Sequence, residues 1–276
     1  LRSRLSRPGA TVKIHCLYRD FFIFLRMVNL ESDRWGSFRR YYFDKHREFL
    51  SHIWFHYQGF SQRNIRERVD MMKKEDYAQV ESELKLFDIE ERTREVVQHC
   101  KNLLGDPGHC NVYLFIGFFS PDAFVVEYGS TYVICVGLER FRTFRNYSVL
   151  VSHEYCHYLF NKRRGDVGES LLRQLIREGI AVHFSMRAYP GRDEADYFFL
   201  NKNRVRYLHE NAEGILAQVR EGAFNKKELF GPESKTLPPR AGYYLGYLLV
   251  EDFMRRTGVR DMEFLLREEN QIFMDF

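Results

Sequence analysis

Residues 153 to 157 read HEYCH, which places His153, Glu154 and His157 in HExxH spacing. Four residues on a helix advance about 6 Å and return to the same face, so both imidazoles can converge on one metal ion. Glu154 then stands one step around the helix, beside the ion, where a carboxylate can take a proton from a water held there. The flanking Val149, Leu150, Leu159 and Phe160 make this a helix that would be buried. The alternative is two histidines that merely pack inside a helix. A catalytic zinc site needs a third protein ligand and an open position for water. Metzincins take that ligand from a His six residues after the second His, with a Gly at the third. Phe160 and Arg163 stand at those places here, which excludes that class.

The next helical pattern, 168 to 186, carries an acid in an apolar stripe: Leu171, Leu175, Glu178 and Val182. A carboxylate there has to be paired or bound to a metal, because an isolated buried charge is very costly. Either a metal or a neighbouring arginine, Arg173 or Arg177, would satisfy it. Glu169 is a competing ligand, but it sits in the first helical turn, where the helix dipole commonly favours acids. Gly179 beside Glu178 would let the helix approach the HExxH helix closely, although glycine inside a helix costs about 1 kcal/mol against Ala. HExxH followed some twenty residues later by a helix-borne Glu is the gluzincin arrangement, with Glu178 the preferred third ligand.

Three stretches together resemble the YjaZ-like family of predicted zinc-dependent proteases: HEYCH, then LLRQLIREGIAVHF (171–184), then LPPRAGYYLGYLLV (237–250). The resemblance runs over about 110 to 257 and is weaker in the N-terminal helices. It implies a gluzincin fold in which His153, His157 and Glu178 hold one catalytic Zn²⁺ and Glu154 is the general base. At Cys156 the chain departs from the family, which often has a His there.

The remaining candidates have ordinary readings beside their functional ones. Tyr243 and Tyr247 share a helix face, and a phenol aimed at the metal could stabilise the oxyanion of peptide attack; Tyr243 is the candidate. Otherwise Tyr243, Tyr244 and Tyr247 are an aromatic stripe packing on the zinc helices, with Gly242 and Gly246 at close-contact spacing. His183 has either a supporting role at the site or simple packing, and Cys156 reads as a small buried hydrophobe.

These residues need elements to position them. The 276 residues suffice for one large domain or two lobes, and 25 Phe with 17 Tyr is more aromatic surface than a disordered chain leaves in water. From about 36 to 104 the apolar spacing is helical, and Gly105-Asp-Pro-Gly108 ends it. Residues 111–119 and 123–137 read as strands, with Gly129-Ser130 at a two-residue hairpin turn. The hairpin at 123–136 could offer an edge strand to an extended peptide. Helical patterns resume at about 147–161, 168–186, 195–222, 241–257 and 261–270, with Gly258 as a stop. The expectation is therefore an α+β fold, mostly helical and gluzincin-like, with a small antiparallel sheet before the HExxH helix. The change of pattern divides the chain into an N-terminal helical region, 1–105, and a zinc metallopeptidase region, 106–276. Residues 1–26, Arg-rich and poor in acid at the start, read as an extension.

A net charge of +4 gives no strong basic field, so nucleic acid is not an expected partner. No run approaches the roughly 20 apolar residues of a membrane span. Five scattered Cys without a CxxC pair suit a reducing compartment, so the expected location is cytoplasmic. The function that follows is hydrolysis of peptide bonds in a peptide or protein substrate. Its rivals are a silent zinc-site regulator or chaperone-like protein, and a zinc hydrolase of non-peptide bonds.

Overall fold

The computed structural model describes residues 11–28, 30–105, 108–118, 120–165, 170–231, 234, 236–268 and 272. The chain packs as two compact units, Leu1–Lys101 with Gly105–Tyr147, and Asn102–Leu104 with Ser148–Phe276. The strands thus group with the helices before them. The change of sequence pattern near residue 105 does not coincide with this division at 147, because strands and helices of different pattern share one core.

The first unit contains β1 (Val12–Cys16), α1 (Tyr18–Met27), α2 (Arg34–Phe38), α3 (Arg47–Ser51), α4 (Gln62–Met71), α5 (Ala78–Leu86), most of α6 (Ile89–Leu104), β2 (Cys110–Phe115), β3 (Ala123–Tyr128) and β4 (Thr131–Gly137). Side-chain caps start several helices where a short polar residue precedes the apolar run; Asp33 accepts from the Gly36 N–H and Asp88 from the Glu91 N–H. The strand order is β1-β2-β4-β3. β3 and β4 form the expected antiparallel hairpin, and Gly129 at φ +66° supplies its turn.

The sheet as a whole corrects the expectation of an antiparallel one. β1 pairs parallel with β2, and β2 parallel with β4. The first strand lies inside the segment read as an extension, and Leu17, Phe21, Phe22, Phe24 and Leu25 after it are buried. Its register partner, Val12 with Cys110, lies far away in sequence, so no local pattern announces the pairing.

The aromatic residues account for this unit's core. Phe21, Phe38, Tyr42, Trp54 and Phe118 pack ring against ring. The Tyr42 hydroxyl donates to the Ile116 carbonyl at 2.8 Å and accepts from the Ile116 N–H at 3.1 Å, while the Trp54 indole N–H donates to the Gly117 carbonyl at 3.0 Å. The rings therefore bury apolar area while their polar ends satisfy the backbone that leaves β2.

The second unit is helical: nearly all of α7 (Tyr147–Arg164), then α8 (Leu171–Ala188), α9 (Glu194–Tyr197), α10 (Lys202–Arg220), α11 (Lys226–Phe230), α12 (Ala241–Thr257) and α13 (Met262–Arg267). Ser170 caps α8 by accepting from the Arg173 N–H, and Gly258 ends α12 at φ +75°, the stop expected there. α8 and α12 meet at two glycines. A Cβ on Gly179 would lie 2.1 Å from the Gly246 carbonyl oxygen, and one on Gly246 2.0 Å from that of Leu175. Gly179 therefore serves the approach of α8 to α12, not to the HExxH helix as expected. Among the described residues no helix is long and apolar enough to cross a membrane, and the five cysteines form no disulfide.

Candidate metal centre

His153 and His157 project from α7 one turn apart, and Glu178 comes from α8. The three side chains point their lone-pair atoms at one another. His153 Nε2 lies 3.0 Å from His157 Nε2 and 3.0 Å from Glu178 Oε2, and His157 Nε2 lies 3.2 Å from the same oxygen. They are the only such group of three potential metal ligands among the described residues. Glu178 has turned to the two imidazoles, which are its hydrogen-bonding partners. The rival ligand Glu169 lies outside the described residues.

Burial sharpens the electrostatics. His153 is 1% exposed, and desolvation pushes its pKa below the usual imidazole range against the hydrogen bond to Glu178. For His157 burial acts downward too, but the charge and hydrogen bond of Glu178, with the charge of Glu154, hold the pKa above its ordinary value. Burial would raise the Glu178 pKa; the charge of His157 and hydrogen bonds to both imidazoles outweigh it and hold the carboxyl well below the usual range.

Three electronegative atoms this close are held either by protons shared between them or by a cation among them. A tetrahedral zinc with bonds of about 2.0–2.1 Å would hold its ligand atoms about 3.3 Å apart, near the observed 3.0 to 3.2 Å. Two imidazoles and one carboxylate are also a donor set of the borderline softness that suits Zn²⁺, and they leave a fourth position to other ligands. The residues fit the metal.

Glu154 is buried on α7, between His153 and His157 in sequence, close enough for its charge to act on His157. Cys156 is fully buried on the same helix. Arg177 is buried next to Glu178 with its guanidinium over the Phe160 ring, 5.3 Å from the centroid.

Of the three tyrosines, Tyr243 has its ring against His153, with centroids 5.5 Å apart. Tyr244 is buried, with its hydroxyl 2.9 Å from His209 Nδ1, and Tyr247 stacks on His183 at 4.6 Å. Tyr243 and Tyr247, expected to share a helix face, contact different histidines. His183 itself lies 3.2 Å from the Tyr247 carbonyl oxygen and 3.8 Å from Glu251, so it packs on α12 outside the ligand group.

Sequence reasoning missed one neighbour of the site. Phe199 meets the His153 ring edge-on at 5.4 Å and the Tyr243 ring at 5.5 Å. It belongs to a loop after a helix of only four residues, and no spacing pattern links it to HExxH.

A family model described as predicted Zn-dependent protease (DUF2268) matches residues 89–274, which span α6 to the end of the described helices and include His153, Glu154, His157, Glu178 and Tyr243. No curated protein and no solved structure matches the chain. The match covers more than half of the sequence, and the chain belongs to this predicted Zn-dependent protease family.

Proposed function

We propose that the protein is a zinc metallopeptidase of gluzincin type, with His153, His157 and Glu178 as the metal ligands. The observation that carries this reading is the convergence of Glu178 Oε2 on both HExxH imidazoles at 3.0 and 3.2 Å, from a separate helix. Family membership supports the zinc and the protease activity at a coarser level. Zinc held by these residues would supply Lewis acidity, lowering the pKa of water toward about 7 and polarising the substrate carbonyl.

The protein's own residues then handle the proton and the charge. Glu154 takes the proton from the attacking water and passes it to the leaving amine, so one carboxylate acts first as base and then as acid. Tyr243, beside His153, is the phenol proposed to donate a hydrogen bond to the oxygen that becomes negative during attack. Low solvent exposure around His153 and Glu154 strengthens both interactions.

The test is metal analysis with peptide-library cleavage on the full chain. The parent should hold close to one zinc, and Glu154→Gln should keep that zinc while cleavage falls by about two orders of magnitude or more. Stoichiometry far below one after zinc reconstitution, or a Glu154→Gln variant as active as the parent, would reject the reading.

A further inference from the structure

A ligand imidazole in a zinc site is normally oriented by a hydrogen bond from its second ring nitrogen to a carboxylate, a carbonyl or water. Among the described residues no side chain or carbonyl pairs with the buried Nδ1 of His153. What surrounds the ring is aromatic. Phe199 meets it edge-on, with centroids 5.4 Å apart and planes at 84°, and Tyr243 lies at 5.5 Å. Phe199 and Tyr243 meet each other at 5.5 Å and 82°, so the three rings close a triangle.

Phe199 reaches this place at a backbone cost. After α9, the Phe199 N–H donates to the Asp196 carbonyl at 3.4 Å and the Leu200 N–H to the Ala195 carbonyl at 3.1 Å. This is the Schellman pair of bonds, whose left-handed position is usually Gly and sometimes Asn. Here that position is Phe199, at φ +54°. The residue is only half-buried, so complete burial of the ring does not explain the choice. A bulky residue in strained backbone beside a reactive group is the pattern of a functional constraint.

We propose that Phe199 is the positioning residue for His153, holding the imidazole by ring packing where a hydrogen bond normally does so. The inference rests on the zinc reading of the site. It assigns the strained helix end to metal affinity: the backbone of a glycine position is used to set an aromatic ring against a ligand.

The test separates ring from backbone with three full-length variants, Phe199→Ala, Phe199→Gly and Phe199→Tyr. Zinc affinity is read by competition with a chromophoric chelator, and the thermal midpoint is read on zinc-free protein. Ala and Gly both lack the ring, so both should bind zinc about tenfold more weakly than the parent. Gly relieves the left-handed strain, so its zinc-free midpoint should exceed that of Ala by about 2 to 4 °C without restoring affinity. Tyr keeps the aromatic edge and should stay within about twofold of the parent.

A purely structural Phe199 would behave differently, with affinity recovering in Phe199→Gly as stability does. That result, or parental affinity in both truncations, overturns the proposal while leaving the zinc site standing. A parent that binds no zinc, or whose zinc binding is unchanged by His153→Ala, overturns the metallopeptidase reading and this inference together.

Discussion

Replacing Gly179 by Ala tests whether contact between α8 and α12 fixes the position of Glu178. Propensity alone predicts stabilisation, since Ala inside a helix is better than Gly by about 1 kcal/mol. The structure predicts the opposite sign. The new Cβ would lie 2.1 Å from the Gly246 carbonyl oxygen and 2.4 Å from its carbon, about 1.3 Å short of ordinary contact with the oxygen. The obstacle is backbone, so no side chain can rotate away, and the two helices must separate. Overpacking of this kind costs about 1 to 3 kcal/mol, which leaves a net loss of up to about 2 kcal/mol after the propensity gain. The thermal midpoint should fall by up to roughly 8 °C. Glu178 is the adjacent residue, and metal distances tolerate about 0.2 Å, so zinc affinity should fall with stability. Gly214→Ala on α10 is the internal control, because a Cβ there meets nothing within 4 Å and should stabilise by up to about 1 kcal/mol. Denaturant melts and chelator competition on both variants decide the matter. If Gly179→Ala is as stable as Gly214→Ala, the argument that the Gly179–Gly246 contact sets the carboxylate is wrong.

Two further outcomes are expected. Glu178→Ala should weaken zinc binding strongly while Glu169→Ala leaves it nearly unchanged, and a reversed ranking in metal titrations would reassign the third ligand. In the first unit, burial lifts the Glu139 carboxyl to about 7 despite hydrogen bonds from the Gly117 N–H and the Ser120 hydroxyl, and among the described residues its buried Oε2 has no hydrogen-bond partner. The folded state thus holds this proton more tightly than the unfolded chain. Stability from this group is fully present below the ordinary Glu pKa of about 4.3 and is lost as pH rises toward 7. Glu139→Gln should remove that slope, matching the parent near pH 4 and exceeding it at pH 8 in urea melts; parallel pH profiles for the two proteins would refute the assignment.

Much of the site was legible because its signals are local. The four-residue spacing of His153 and His157 places them one helical turn apart whatever the rest of the chain does. An acid in the stripe of Leu171, Leu175 and Val182 has to be neutralised, so the stripe alone singles out Glu178. The helix stop at Gly258 and the hairpin turn at Gly129 follow from left-handed backbone, which is also a local property.

Long-range packing decided the rest. Parallel pairing of Val12 with Cys110 has no signature in either strand, because it depends on a register set across most of the first unit. A glycine in a helix announces that something comes close but not what, so Gly179 suggested α7 and the fold placed Gly246 of α12 there. Tyr243 and Tyr247 have equal claims from spacing, and only the placement of α12 sets one against His153 and the other against His183. Phe199 was invisible for the same reason: the sequence shows a Phe where the backbone needs a glycine-like conformation, and the ring's target lies on another helix. Periodicity and chemistry of single segments are written in sequence, whereas the identity of the facing surface is a property of the packed chain.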